Sequence, residues 1–329
     1  MQKITIEKIA KSVNLSTAAV SKALNNTGGI SYNTKKKILE LAAKEGYIPK
    51  NETSRIGIVM PNAPKFFWHA YLTEILERSE KLGHTCQHFL YENAAYPEDV
   101  LLCLEAAERA NVEMLIVGIT CSIGVPQILE RIKELEKKMF VVFVEEIYKN
   151  VKQYYVGEHS QDSAKQLASI YLDKYPESKN FLVFSKGGHS IGSRVDGFHE
   201  EIERRNLKIL DVLEFPKQSA TTAASVARIL NKYKNELDCV FCASDSLSDV
   251  CLAIRKIKRL DIHCIGFDCS NSDMVYFDMG ILKCVARQNI PMQAQTVVDI
   301  AHHYLTTGEK PERKHNFVED YFLTSQYKN

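Results

Sequence analysis

Residues 5–49 read TIEKIAKSVNLSTAAVSKALNNTGGISYNTKKKILELAAKEGYIP. Three short helical patterns fit this stretch. Thr5 can cap a first helix whose apolar positions are Ile6, Ile9 and Ala10, with Val13 following at helical spacing. Asn14 falls in the tight turn that follows, where a left-handed backbone suits Asn or Gly. Ser16 can cap a second helix, residues 17–24, that buries Val20 and Leu24 and exposes Thr17, Ala18, Ser21 and Lys22. Ser31 can cap a third, running to Lys44 with Ile38, Leu41 and Ala42 inward and closed by Gly46. Two short helices joined by about three residues and braced by a third make the helix-turn-helix plan, whose second helix fits the major groove of DNA. The short side chains of Thr17 and Ala18 suit a thymine methyl, and Lys22 suits a guanine edge or a phosphate.

Charge points the same way. The 329 residues carry a net charge of only +1, but the first 50 hold nine lysines against three glutamates, a net of +6, which leaves −5 for the rest. A small basic head on a mildly acidic body implies a polyanionic partner for the head. Apolar residues at 45% and charged residues at 25% leave ample material for a core, and the length suggests more than one domain. No apolar run reaches the ~18 residues of a membrane span, and Lys3, Glu7 and Lys8 interrupt any secretory core at the N-terminus, so a cytoplasmic location is expected. Nine irregularly spaced cysteines do not form a disulfide framework.

From Ile56 onward, short apolar runs alternate with helical patterns. Strands are expected at 56–60, 85–91, 114–119, 140–144, 154–157, 181–185, 209–215, 239–243, 264–267 and 316–323, with helices at 68–81, 98–110, 161–173, 194–205 and 220–232 among the intervening stretches. Such alternation means parallel sheets built from βαβ units, and about 200 residues of it suggest two of them. Ligands of open parallel sheets bind beyond the carboxyl ends of the strands. The residues there include Phe66, Phe67, Trp68 and His69, then Arg194, Ser244, Asp245, Phe267, Asp268 and Gln288, a mixture of stacking rings and directional polar groups.

The head resembles that of the lactose-repressor (LacI) family along its whole length, in Thr5, Ile9-Ala10, Leu15-Ser16, the segment Ala19 to Asn25, and the closing Gly46-Tyr47-Ile48-Pro49. The resemblance implies DNA contacts from Thr5, Ser16, Thr17, Ala18, Ser21, Lys22, Asn25 and Tyr47. Lys22 stands where the family usually has arginine, which removes a bidentate donor. The body resembles the family's periplasmic-binding-protein-like sensor, and the resemblance implies ligand contacts from Phe66, Phe67, Arg194, Ser244, Phe267, Asp268 and Gln288. Ser244 replaces a usual Asn, Glu145-Glu146 a usual Asp-Arg, and Glu158-His159 a typical Asp-Asn, which points away from a plain hexose. Between Pro49 and Ile56 only Lys50 to Arg55 remain, a span of at most roughly 20 Å with no leucine, so the family's hinge helix is expected to be missing.

The expected fold is therefore α/β: an N-terminal all-α helix-turn-helix head (1–49), a shortened linker (50–55), and a two-lobed periplasmic-binding-protein-like domain of parallel doubly wound sheets (56–329). Its lobes are expected at about 56–157 with 288–315, and 158–287 with 316–329. The expected function is a ligand-responsive, sequence-specific transcriptional regulator. It would act as a homodimeric repressor of carbohydrate-related genes, binding double-stranded operator DNA and a sugar or sugar derivative. A transport solute-binding protein, or a regulator driven by a partner protein, are the alternatives. Cys239 and Cys242 lie in one strand and face opposite sides, and His302 and His303 diverge on a helix, so neither pair makes a metal site. No residue set calls for a cofactor, a metal or catalysis.

Overall fold

Runs of buried apolar residues form the strands of two sheets in the computed structural model of the protein. It describes residues 5–24, 30–31, 34, 37–38, 41–42, 55–92, 96–120, 124–148, 151–186, 189–216, 221–233 and 235–324. The strands are β1 (Arg55–Pro61), β2 (Thr85–Tyr91), β3 (Met114–Gly118), β4 (Phe140–Val144), β5 (Tyr154–Gly157), β6 (Asn180–Ser185), β7 (Lys208–Glu214), β8 (Cys239–Cys242), β9 (His263–Phe267), β10 (Leu282–Arg287), β11 (His315–Phe317) and β12 (Tyr321–Thr324). The helices are α1 (Ile6–Val13), α2 (Thr17–Leu24), α3 (Lys65–Lys81), α4 (Pro97–Arg109), α5 (Val125–Leu135), α6 (Ser160–Lys174), α7 (His189–Arg204), α8 (Thr222–Tyr233), α9 (Leu247–Lys256), α10 (Met274–Asp278) and α11 (Ile290–Thr307).

The chain divides into two compact units, one of residues 1–144, 153–155 and 291–316, the other of residues 145–152, 156–290 and 317–329. One sheet has the order β11-β5-β4-β3-β1-β2, with β1 parallel to β2 and β3, and β3 parallel to β4. β3 and β4 are buried at every residue, the continuous apolar run expected of strands covered on both faces, whereas β2 at the edge is half exposed. The other sheet has the order β12-β10-β9-β8-β6-β7, parallel throughout except for β12, which runs antiparallel to β10.

Alternation along these strands feeds two cores. Leu182, Phe184, Val240, Cys242, Cys264 and Leu282 face one side with α8 and α9, while Phe181, Val183, Cys239, Phe241, Ile265 and Phe267 face the other with α6 and α7. Each fully buried Leu, Ile, Val or Phe contributes about 1.5–3 kcal/mol. The side chains of Cys239 and Cys242 thus go to separate cores, and all eight described cysteines are free thiols. Gly197 lets α7 lie directly on α6, since a Cβ there would stand 2.0 Å from the Gln161 carbonyl oxygen. In both sheets the strand order reverses, between β1 and β3 and between β6 and β8, which is where ligand crevices open in doubly wound sheets.

The single strand expected over 316–323 is a correction. The segment is two strands, β11 and β12, in different sheets, with Val318 donating its N–H to the Gly157 carbonyl at 2.8 Å between them.

Candidate nucleic-acid interface and effector site

The head has its own small core of Ile9, Ala10, Val20, Ala23, Ile38 and Ala42, flanked by Ile6, Val13, Ile30 and Leu41. Asn14 ends α1 in the left-handed region, at φ 54°, and its N–H returns to Ala10 and Lys11. Ser16 caps α2, its Oγ accepting the Ala19 N–H at 3.1 Å, and the Ser31 Oγ accepts the Thr34 N–H in the same way at 3.3 Å. Thr5 stands before α1 in extended backbone but makes no side-chain cap, correcting that expectation; its carbonyl accepts from Lys8 and Ile9 instead. With Val20 and Ala23 inward, Thr17, Ala18 and Lys22 are exposed and Ser21 half-buried; Lys8, Lys11 and Lys37 are exposed as well. Asn25, Gly46, Tyr47, the burial of Leu24 and linker residues 50–54 lie outside the described residues.

In the second unit, the ends of the strands and the segments beyond them gather a set of buried and half-buried polar residues. Arg194, projecting from α7, is 3% exposed and lies with its guanidinium 4.1 Å over the Phe267 ring. Its Nε donates to Glu158 Oε1 at 2.7 Å, and its Nη1 donates to Asp268 Oδ2 at 2.8 Å and to the Ala243 carbonyl at 3.1 Å. Gln288 Nε2 donates to Glu145 Oε2 at 3.0 Å and approaches Asp268 Oδ1 at 3.5 Å. Ser190 closes the rim, its N–H reaching Glu146 Oε2 at 3.1 Å and its Oγ the Glu145 carbonyl at 2.7 Å. Glu145 and Asp268 both hold left-handed backbone, at φ 71° and 59°, conformations that cost non-glycine residues energy and cluster at functional sites.

Burial pushes the Glu158 carboxyl up, but Arg194 together with hydrogen bonds from Asp320 and Ser160 outweighs it and leaves the group below the ordinary range. Burial likewise pushes Asp268 up, and there the opposing pull of Arg194 is insufficient. Burial, with Glu158 close by, holds Glu145 well above the ordinary range. Asp320, just before β12, is pushed up to about 10 by burial and by the neighbouring Glu158. This set had only partial warning in the sequence. Arg194, Asp268 and Gln288 are brought together as expected, while Ser244 is buried beside Ser246 and Phe267 is fully buried as the platform for Arg194. Glu158 and Glu145 were visible as residues just past strands; Asp320 was hidden inside the segment read as one strand.

In the first unit the strand ends carry another polar group. Asn62 Nδ2 donates to Glu92 Oε1 at 2.6 Å, and Asn62 Oδ1 hydrogen-bonds His69 Nε2 at 2.6 Å. Of the two expected stacking rings Phe66 is 43% exposed, but Phe67 is buried against Trp68 and Tyr71, with ring centroids 5.1 and 6.1 Å away. Trp68 itself packs where a Cβ on Gly118 would stand 2.9 Å from its ring. Elsewhere in this unit His302 finds its partner in His84, not in its neighbour His303: His84 Nε2 and His302 Nδ1 share a hydrogen bond at 2.8 Å. Among the described residues no helix is long and apolar enough to cross a membrane, and no group of His, Cys, Asp and Glu is placed to hold a metal ion.

Comparison with known proteins agrees with this division. Residues 5–50 match the model of bacterial regulatory proteins of the lacI family, and residues 56–310 match the periplasmic binding protein domain. The HTH-type transcriptional regulator MalR of Clostridium butyricum is 23% identical over 96% of both chains. Among solved structures, the lac repressor dimer bound to operator and the anti-inducer ONPF is similar over 98% of both chains, with a TM-score of 0.69 and 17% identity. A periplasmic solute binding protein of an ABC transporter from Actinobacillus succinogenes, with bound D-allose, has a TM-score of 0.75 at 13% identity, over 83% of this chain and 98% of its own.

Proposed function

This chain belongs to the periplasmic binding protein domain family over residues 56–310 and carries the lacI-family regulatory head at 5–50; on that footing we propose that it is a repressor whose operator affinity is set by a small polar effector. The observation that carries the reading is the union in one chain of an exposed Thr17–Ala18–Lys22 surface on a capped recognition helix with the buried Arg194–Glu158 pair and the half-buried Asp268 and Gln288 at the strand ends. The first reads base edges and phosphates in a major groove. The second supplies directional hydrogen bonds in a water-poor place, the chemistry that selects a hydroxylated ligand. No step of bond making or breaking is assigned to it.

Thr5, Ser16, Thr17, Ala18, Ser21, Lys22, Asn25 and Tyr47 are the proposed DNA contacts. Phe66, Arg194, Ser244, Asp268 and Gln288 are the proposed effector residues, with Phe67 and Phe267 supporting them from the core. Two copies reading the halves of a near-palindromic site make a homodimer the expected assembly, acting in the cytoplasm where that DNA is. The shortened linker at 50–55 is proposed to carry the signal without a hinge helix. Selection from a random duplex library with the full chain tests the reading. Enrichment of one near-palindromic site is expected, and recovery of an unenriched library overturns it.

A further inference from the structure

One carboxyl of the second unit has no part in the proposed ligand contacts. Asp320 ends the segment 318–320 between β11 and β12, and the backbone stitches that segment down on both sides. On one side the Val318 N–H donates to the Gly157 carbonyl at 2.8 Å, next door to Glu158. On the other, Tyr321 pairs with Arg287 in the β10–β12 ladder, next door to Gln288. Asp320 is thereby pinned with its carboxyl against that of Glu158 and with the Ser163 hydroxyl of α6 close by. Both Asp320 oxygens and Glu158 Oε2 are sealed from solvent. Among the described residues no ion pair reaches Asp320, whereas Glu158 Oε1 accepts from Arg194 Nε at 2.7 Å and from the Ser160 hydroxyl at 2.8 Å.

Resting on the effector reading above for what Arg194 serves, we infer that Asp320 is a positioning residue of that site, a neutral carboxylic acid whose O–H donates to Glu158 and holds it against Arg194. Two carboxyls pressed together away from water do not both carry charge without a large penalty, so one of them keeps its proton. Glu158 faces the guanidinium and is the carboxylate, which leaves the proton on Asp320. A protonated carboxyl has the donor that an ionised one lacks. Glu158 is then gripped by Arg194 of α7, by Ser160 of α6 and by Asp320 ahead of β12. The charges that face Asp320 agree: burial and Glu158 push its carboxyl up to about 10, against the pull of Arg194 and of the Ser163 hydroxyl. An amide of the same shape would supply the donor with no proton to keep, so the acid is expected to cost stability at neutral pH.

The test uses the full chain without any ligand. Urea unfolding compares the native chain with Asp320→Asn, which keeps the shape and a donor. The folded Asp320 carboxyl lies above its ordinary 3.8, so its contribution is complete below that value and is lost as pH rises toward the folded one. Relative to Asp320→Asn, the native folding equilibrium is expected to fall by about ten-fold per pH unit between about pH 5 and pH 8. Glu145, Glu158 and Asp268 are present in both chains and cancel in the comparison. An unchanging ratio, or a native chain that gains on the variant as pH rises, overturns the neutral acid. Positioning is read separately, from the solvent exchange of the Arg194 Nε–H by nitrogen-15 NMR, with Arg194→Lys to identify the resonance. Exchange is expected to stay slow in Asp320→Asn and to quicken by about ten-fold or more in Asp320→Ala and Asp320→Leu, which lack the donor, the leucine filling the space that alanine leaves. Equal exchange in the native chain and in whichever of these two folds overturns the positioning role. Because no compound enters either measurement, failure here leaves the effector reading standing; that reading falls only if the folded chain couples no compound to its duplex.

Discussion

Replacing Arg194 with methionine keeps most of the side-chain volume and removes the guanidinium. Glu158 and Asp268, whose side chains are only 1% and 15% exposed, then lose the cation that holds them at 2.7 and 2.8 Å. Breaking one partner out of a buried ion pair costs about 3–5 kcal/mol, because the surviving charge stays buried. That range is the expected loss at pH 7. Arg194→Lys retains charge and stem but gives up the planar fork over Phe267, and is expected to cost less, about 1–3 kcal/mol. The pH dependence follows from Glu158, whose folded carboxyl lies below its ordinary value of 4.5. Stability from such a group is present above the ordinary value and disappears as pH falls through the folded one. The gap between Arg194→Met and the native chain should therefore narrow below that value. Urea unfolding followed by far-UV circular dichroism at pH 7 and pH 4 measures both. A loss at pH 7 below about 1 kcal/mol, or a gap that widens in acid, refutes the reading of Arg194 as counter-charge to a buried carboxylate.

Gly197→Ala drives a methyl to 2.0 Å from the Gln161 carbonyl and should lower the melting temperature through a cost of about 1–3 kcal/mol or more; Gly192→Ala in the same helix meets nothing within 4 Å and should be neutral or gain about 0.5–1 kcal/mol. His84 is held at about 4 by burial and by His302, below its unfolded value of 6.5, so its contribution is complete above pH 6.5 and lost as pH falls toward 4. Thermal midpoints across that window should show the loss, and His84→Leu should flatten it. Lys22→Ala should weaken the selected duplex by about 1 kcal/mol or more, with a salt slope shallower by about one if the lysine meets a phosphate, as anisotropy titrations at several salt concentrations would show.

The head and the strands were legible because their signals are local. Ser16 three residues before the N–H that donates to it, Asn14 at a turn, and all-apolar runs such as Phe140 to Val144 each dictate structure from a few neighbours. The residues just past the strands were legible as positions but not as roles. Whether Phe66 and Phe67 face water or core depends on how α3 lies against Trp68, Tyr71 and Gly118, which no spacing encodes. Phe267 is at the right place in sequence, yet the pleat turns it inward, under Arg194. Partnerships across long stretches of chain were out of reach: His84 with His302 spans 218 residues, and Asp320 meets Glu158 only because the last segment breaks into two strands.

The central claim is that one small molecule and one operator compete or cooperate through this chain, and such coupling must be reciprocal. The direct measurement is therefore paired. The affinity of the full chain for its selected duplex is determined with and without a saturating binding compound, and the affinity for that compound with and without the duplex. The expected result is one factor, roughly 5- to 150-fold, appearing in both directions. A compound that binds the second unit while leaving the duplex affinity unchanged would contradict the claim.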